Sequence, residues 1–152
     1  MNDSDRAAAI LAASYLEEAL GDYIKSFLVE DSSIEELFEG YGSLSSFSAR
    51  IGIAFALGLV TKKMRDDLNT IRKIRNHFAH HPAETSFQVS PVRDWCSNLL
   101  GAEPVKEEDG IILRETRPRM QFLVTIGSIL WNLERILEEQ ERRVEPTALR
   151  YS

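Results

Sequence analysis

The three histidines of the chain lie within five residues of one another, in a segment that also carries basic residues. The segment reads Arg72-Lys73-Ile74-Arg75-Asn76-His77-Phe78-Ala79-His80-His81-Pro82. Histidine is the side chain whose charge changes near neutral pH unaided, and arginine recognises phosphate oxygens. An arginine five positions before a histidine, as in Arg75 and His80, can therefore bind or cleave a phosphodiester. We expect any chemistry of this chain to lie in this segment.

The charge of the chain is unevenly distributed. The whole sequence carries −6 at pH 7. Between Lys62 and His81, six basic residues stand against two acidic ones, so this stretch carries +4 and the remainder carries −10. Proteins that coat DNA or RNA without sequence preference depend on neutralising phosphates. The overall charge argues against that class and indicates one basic element on an acidic body.

Length and composition predict a single globular domain. The chain has 152 residues, of which 43% are hydrophobic, enough to bury a core. We assign residues 1–152 to one helical domain, with residues 1–3 and 146–152 as frayed tails. The lone Cys96 cannot form an intramolecular disulfide and is expected to be a packing residue. The longest apolar run, residues 51–60, is about half a bilayer span, so we place the protein in the cytoplasm without a membrane segment.

The apolar spacing predicts an all-α bundle of about five to six helices, with two long helices and a central apolar helix. The predicted segments are residues 4–29, 32–38, 47–59, 62–80, 91–99 and 118 to about 145. The expected N-caps are Ser4 or Asp5, Ser45 or Ser46, Thr61 and Ser90, and Pro82 is expected to end the fourth helix. The third helix is apolar nearly all round, which favours a central position. Residues 101–115 are expected to form a loop with a short extended piece.

A permanent charge lies on the apolar stripe of the fourth helix. Arg75 falls within the stripe that carries the apolar residues Met64, Leu68, Ile71 and Phe78. A desolvated guanidinium is costly unless it is paired. Arg75 therefore needs an acidic partner, a bound anion or a neighbouring subunit. Asn76 and His80 lie together on a flank about 100° to 140° from Arg75.

Three interpretations of this segment remain open from the residues alone. In the first, Arg75 pairs with a carboxylate such as Glu17 or Glu18 on the first helix, and His80 caps the C-terminal end of the fourth. In the second, a metal binds His77 and His81, which have the i, i+4 spacing of helical zinc ligands; no third ligand is evident, so we assign neither a metal nor a cofactor. In the third, the segment binds an anion or phosphate, with or without catalysis.

Two segments together resemble the mannitol operon repressor family of bacterial regulators. They read Phe38-Glu39-Gly40-Tyr41-Gly42-Ser43-Leu44-Ser45-Ser46-Phe47-Ser48-Ala49-Arg50-Ile51 and Asp67-Leu68-Asn69-Thr70-Ile71-Arg72-Lys73-Ile74-Arg75-Asn76-His77-Phe78-Ala79-His80. The resemblance implies an all-helical protein that lacks a recognised DNA-binding motif and represses transcription through another regulatory protein. The short connection between the third and fourth helices is likewise atypical of a helix-turn-helix. We therefore do not expect direct DNA binding or enzymatic activity.

The second of these segments also resembles the signature of the HEPN superfamily. The signature has an arginine, a polar residue directly after it, and a histidine separated from the arginine by four residues. Arg75, Asn76 and His80 match these three positions. The resemblance implies a metal-independent RNase site formed across a homodimer, in which His80 serves as general acid or base and Arg75 stabilises charge on the phosphate. RNA is a partner only under this alternative. Glu17, Glu18 and Asp22 on the first helix are the residues that could neutralise Arg75 instead.

Overall fold

The computed structural model describes residues 3–81, 83 and 85–143. They form an all-helical fold with one small hairpin, in agreement with the predicted class. The elements in chain order are α1 (Asp3–Lys25), α2 (Ser32–Phe38), α3 (Phe47–Ala56), α4 (Lys62–His80), α5 (Val92–Cys96), a 3₁₀ turn (Leu100–Ala102), β1 (Val105–Lys106), β2 (Ile112–Leu113) and α6 (Pro118–Arg143). The predicted frayed tails and the role of Pro82 lie outside the described residues, apart from Asp3, which begins α1.

Two predicted N-caps, Thr61 and Ser46, are confirmed by their hydrogen bonds. The Thr61 hydroxyl accepts the N–H of Met64 at 3.2 Å, so α4 begins at Lys62. The Ser46 hydroxyl accepts the N–H of Ala49 at 3.1 Å and opens α3. In each case one of the free N–H groups of the first helical turn is satisfied by the side chain just before it.

Helices α1 and α3 end earlier than predicted. Helix α1 ends at Lys25 rather than at residue 29, because the N–H groups of Phe27 and Leu28 donate to carbonyls three residues back in a tighter turn. Helix α3 ends at Ala56 rather than at residue 59. Gly58 there adopts φ +70°, a conformation that glycine accepts without strain, and this closes the helix.

The caps predicted for the first and fifth helices are wrong. Asp5 lies inside α1 and is buried, and its carboxylate accepts the N–H of Phe87 at 3.2 Å. The hydroxyl of Ser90 donates to the Asp94 carboxylate rather than capping a backbone N–H. Helix α5 accordingly starts at Val92 and ends at Cys96, short of the predicted residue 99.

Helices α1, α4 and α6 surround the core, and α4 packs against α1, α3, α5 and α6. The core consists largely of aliphatic side chains from these helices, and three of its aromatic rings contact one another in a row. The ring of Phe87 lies 5.0 Å from that of Phe78 and 5.3 Å from that of Phe122. Cys96 is fully buried, as predicted for a packing residue, and burial raises the pKa of its thiol to about 12.

The third helix is less enclosed than predicted. Phe47, Ile51 and Ala54 are buried against α1 and α4. Phe55 and Leu57, however, remain 38% and 51% exposed, because α3 lies at the side of the bundle and presents one face outward. None of the helices in the described chain has the length and apolarity needed to cross a membrane.

The predicted loop between α5 and α6 contains an antiparallel hairpin in which Val105 pairs with Leu113. The preceding 3₁₀ turn lies against α6 at very short range. A Cβ atom added to Gly101 would stand 2.3 Å from the carbonyl oxygen of Gln121. The N–H of Gly101 donates to the Thr125 hydroxyl at 2.9 Å, so a glycine is required for this contact.

Candidate functional site on helix α4

Burial of one side of α4 fixes the direction of the residues that could do chemistry. The buried apolar side chains are Leu68, Ile71, Ile74 and Phe78, which recur every three or four positions. Arg75 lies at the edge of this buried face, and its side chain is 21% exposed. The opposite side of the helix is exposed at Lys62, Asp66, Lys73 and His80. The apolar stripe therefore holds Arg75 toward α1 while His80 is directed to solvent.

The Arg75 guanidinium forms a salt bridge with the Glu17 carboxylate of α1. Its Nε also donates to Oδ1 of the adjacent Asn76 at 3.3 Å, and its carbon lies 5.4 Å from the centre of the Phe47 ring. The side chain thus has a carboxylate, an amide and an aromatic ring as neighbours. Of the three partners that the sequence left open for Arg75, the structure shows an acidic residue of the same subunit.

The other two carboxylates considered as partners lie elsewhere. Glu18 and Asp22 are exposed on α1 and line a groove together with Lys25 and Arg50. Among the ion pairs of the described residues, Glu17 is the acidic group that contacts Arg75.

His80 and Arg75 do not face the same way within one chain. Five helical residues separate them by about 7.5 Å along the axis and about 140° around it. His80 is exposed at the last position of α4. The predicted contact at the helix end is made by His81 instead, whose Nδ1 lies 3.2 Å from the carbonyl oxygen of His77. His81 follows the helix and can turn its ring back onto the last turn.

The other two histidines form a small aromatic cluster with α5. The rings of His77 and His81 stack at 4.4 Å, and the His77 ring meets the edge of Trp95 at 5.4 Å. Lys73 Nζ lies 4.1 Å from the centre of the Trp95 ring. Desolvation, with a smaller effect from the charge of His81, lowers the pKa of His77 below its ordinary value. Within the described residues, no three potential ligands converge on a metal position.

A shallow groove of about 340 Å³ follows α4 beside these groups. Asn69, Thr70, Arg72, Lys73 and Asn76 line it. The Nε of Arg72 is buried, and no hydrogen-bond partner for it occurs in the part of the chain that the structure describes. The groove is polar and basic, but Arg75 takes no part in lining it.

Arg50 is a site residue that sequence reasoning missed. Its guanidinium donates to three backbone carbonyls: Nε to Leu44 at 2.9 Å, one terminal nitrogen to Glu17 at 3.0 Å and the other to Phe38 at 3.1 Å. It thereby fixes α1, the end of α2 and the following loop to α3. An arginine within an otherwise apolar helix was the only signal, since its acceptors are backbone groups that side-chain spacing does not reveal.

In a single subunit, Arg75 and His80 are not arranged to act together on a substrate. Glu17 neutralises Arg75, so this guanidinium is already satisfied without a phosphate. His80 is a solvated imidazole, pointing away from that pair. The geometry is that of a structural ion pair beside a basic groove rather than an assembled acid–base site.

Comparison with known proteins identifies the family. No curated protein and no solved structure shows significant similarity to the chain. The family model described as mannitol repressor matches residues 2–130, which span all elements from α1 to the first half of α6. The chain therefore belongs to the mannitol repressor family.

Proposed function

We propose that the protein is a transcription repressor of a mannitol operon that acts by contact with another regulatory protein. The family match supports repression. The observation that favours an indirect mechanism is the position of α4, the basic helix, which packs against four other helices. A helix that reads DNA in the major groove needs a free face with several side chains reaching base edges.

The charges of α4 also support an indirect mechanism. Three of its six basic side chains are engaged within the protein: Lys63 with Asp67 and Glu103, Arg65 with Asp66, and Arg75 with Glu17. Binding to DNA gains most of its affinity from cations that are free to contact phosphates. On an acidic protein, the remaining cations of α4 give a weak basis for affinity to a promoter.

The proposal is tested by separating repression from DNA binding. Deletion of the gene should raise the transcript of the mannitol operon, and restoring it should lower the transcript again. The purified protein should bind promoter DNA no more tightly than unrelated DNA of the same length at equal salt. An unchanged transcript after deletion contradicts repression. Salt-sensitive, promoter-specific binding by the protein alone contradicts the indirect mechanism.

The RNase alternative is a dimer that uses Arg75 and His80. One observation favours it: Oδ1 of Asn76 accepts from Nε of Arg75 at 3.3 Å, so the polar residue that follows the arginine is directed at the guanidinium. An active site would require a second subunit to bring His80 toward the arginine and to compete with Glu17. Incubation of RNA with the protein in the presence of a chelator distinguishes the two functions.

A further inference from the structure

The groove beside α4 is lined by side chains that can donate hydrogen bonds. Counted from Asn69, the residues Arg72, Lys73 and Asn76 follow at three, four and seven positions, so the four are neighbours on one side of the helix. Thr70 completes the lining. None of these five side chains is acidic. The α4 groove, as we call it, therefore offers two cations and two amides with no negative charge of its own.

Among the arginines of α4, Arg72 lacks a partner in the described part of the chain. Arg65 pairs with Asp66, and Arg75 pairs with Glu17. The Nε of Arg72 is buried without an acceptor, whereas its terminal nitrogens are not enclosed and donate to no described residue. A partly desolvated guanidinium is costly unless a negative charge accompanies it. The open end of Arg72 is therefore a place where an external anion stabilises the protein.

Lys73 brings a second positive charge to the α4 groove. Its Nζ lies 4.1 Å from the centre of the Trp95 ring, a favourable contact that keeps the ammonium beside the groove. No salt bridge within the described residues neutralises it. Asp66, two turns earlier on α4, is held by Arg65 at 2.8 Å. Two adjacent cations are thus left for the same ligand.

The amide of Asn76 supplies a donor of defined orientation. Its Oδ1 accepts from Nε of Arg75 at 3.3 Å, so Nδ2 is the end left for another acceptor. Asn76 follows Arg72 by one helical turn. A tetrahedral oxyanion has several oxygens, and charged donors bind such oxygens more strongly than neutral ones do. The guanidinium, the ammonium and the amide together match one phosphate group.

The remainder of the α4 groove suits hydroxyl groups. The Thr70 hydroxyl donates to the backbone carbonyl of Asp66 at 3.0 Å, so its oxygen remains available as an acceptor. The Asn69 amide can both donate and accept. The groove measures about 340 Å³, within the range of about 300–1,000 Å³ that is usual for small-molecule sites. It can therefore hold more than a bare phosphate ion.

We propose that the α4 groove binds a small hydroxylated phosphate ester, of the sugar phosphate or polyol phosphate class. Arg72, Lys73 and Asn76 bind the phosphate oxygens, and Asn69 and Thr70 bind hydroxyl groups of the organic part. Arginine is suited to the phosphate because its planar guanidinium presents several donors at fixed angles. A role of this ligand as an effector of repression rests on the proposed function, but its binding does not.

A nucleic acid fits the α4 groove less well. Two adjacent cations match one phosphate, whereas a strand requires a series of them along its backbone. Binding of single strands also uses exposed aromatic rings as stacking platforms. The ring of Trp95 is covered by Lys73 on one side and meets the edge of His77. The net charge of −6 repels a long polyanion more than a small ester.

Binding is measured by calorimetry with glucose 6-phosphate and sorbitol 6-phosphate, a cyclic and an open-chain ester. Glucose and inorganic phosphate are the two partial ligands. The site variants are Arg72→Gln and Lys73→Gln, and Lys73 is exposed, so its replacement should leave the melting temperature unchanged. Lys62→Gln is the matched control, because it removes the same charge from an exposed position of α4 outside the groove.

The wild type and Lys62→Gln should bind at least one of the two esters with equal affinity. Arg72→Gln and Lys73→Gln should each weaken that binding by about tenfold. Asn69→Ala should weaken binding of the ester but leave that of inorganic phosphate unchanged, and glucose should not bind.

Three results overturn the proposal. The first is the absence of saturable binding of either ester up to about 10 mM, well above the millimolar limit of weak specific sites. The second is equal affinity of the wild type for inorganic phosphate and for the esters, because the hydroxylated part is then not recognised. The third is an equal loss of affinity in Lys62→Gln and Lys73→Gln, or tighter binding of a single-stranded oligonucleotide at the same site, because the attraction is then that of a general basic surface.

Repression in cells separates this inference from the proposed function. If the wild type restores repression in the deletion strain but binds no ester, the ligand site is overturned and the repressor function is retained. If the wild type fails to repress, the proposed function is wrong, and the calorimetric comparison of Lys73→Gln with Lys62→Gln still decides whether the site exists.

Discussion

Arg75 on α4 and Glu17 on α1 form a salt bridge between two helices although they are 58 residues apart in the sequence. Glu17 is also bound at its main chain, where its carbonyl accepts from Arg50 at 3.0 Å. One residue of α1 therefore meets two arginines, one at the side chain and one at the backbone. The two interactions differ in what a substitution at residue 17 removes.

The salt bridge should stabilise the fold measurably. Arg75→Ala or Glu17→Ala leaves the other charge partly buried and alone, so each should lower the free energy of unfolding by about 1–3 kcal/mol. Both side chains are about one-fifth exposed, which keeps the effect below that of a fully buried pair. Urea unfolding of the two single variants and the double variant should show a coupling energy. Additive effects would contradict the pairing.

The exposed pair of Arg135 and Glu139 is a control, expected to contribute about 0.5 kcal/mol or less.

Arg50→Lys should destabilise the protein by about 2–3 kcal/mol, because one ammonium cannot reach three carbonyls that diverge around a planar guanidinium. Thermal and urea unfolding measure the loss. Arg93→Lys on α5 is the comparison, since the exposed Arg93 pairs with its exposed neighbour Asp94, and a change within about 0.5 kcal/mol is expected. Equal effects of the two substitutions would show that the three backbone contacts of Arg50 contribute little.

Two glycines near or on α6 should respond to alanine in opposite directions. Gly101→Ala brings a methyl group against the Gln121 carbonyl and should cost about 2 kcal/mol or more, through displacement of the 3₁₀ turn. Gly127→Ala meets no atom of the described structure within 4 Å and lies within a helix, so it should stabilise by about 0.5–1 kcal/mol. Melting temperatures distinguish them, and a shift of the same sign in both would contradict the close contact at Gly101.

The lowered pKa of His77 predicts a loss of stability in mild acid. The folded state holds His77 neutral at a pH where the unfolded chain, with its ordinary pKa of 6.5, binds a proton. Stability should therefore be full above pH 6.5, fall as the pH drops below it and level off beneath the lowered folded-state pKa. Unfolding measured across this range, beside NMR titration of the ring, tests the sign. His81→Ala removes one cause of the shift, so the pKa of His77 should rise in that variant. If the stability of His77→Gln depends on pH in the same way as that of the wild type, other groups cause the dependence.

RNA should remain intact when it is incubated with the protein in a chelator, because Arg75 is engaged by Glu17 and His80 is directed to solvent. His80→Ala should leave the melting temperature unchanged, which makes it the informative variant. Cleavage by the wild type that is lost in both His80→Ala and Arg75→Lys, with folding retained, would favour the dimeric RNase instead.

The sequence was most informative where local chemistry decides the structure. Helix α4 begins and ends where predicted, because Thr61 provides a cap and the apolar stripe is strong. It was least informative where a polar side chain has a choice of partners far along the chain. Asp5 and Ser90 are good cap residues by type, yet Asp5 contacts the Phe87 backbone and Ser90 contacts the Asp94 side chain. For Arg75 the sequence reduced the partner to a few carboxylates, and only tertiary packing selects Glu17. The family assignment does not distinguish an indirect repressor from one that binds DNA, because the decisive surface contacts are made with other molecules.

Arg50 and Arg75 both contact Glu17, but they constrain the evolution of the sequence differently. Arg50 binds main-chain carbonyls of residues 17, 38 and 44, which any amino acid supplies. Residues 38 and 44 can therefore change in type while the contacts of Arg50 that hold α3 persist. Arg75 forms a salt bridge with the Glu17 side chain, so residues 17 and 75 should change together or not at all. An alignment of the family is therefore expected to show an arginine at position 50 whatever residues occupy positions 38 and 44. Positions 17 and 75 are expected to covary.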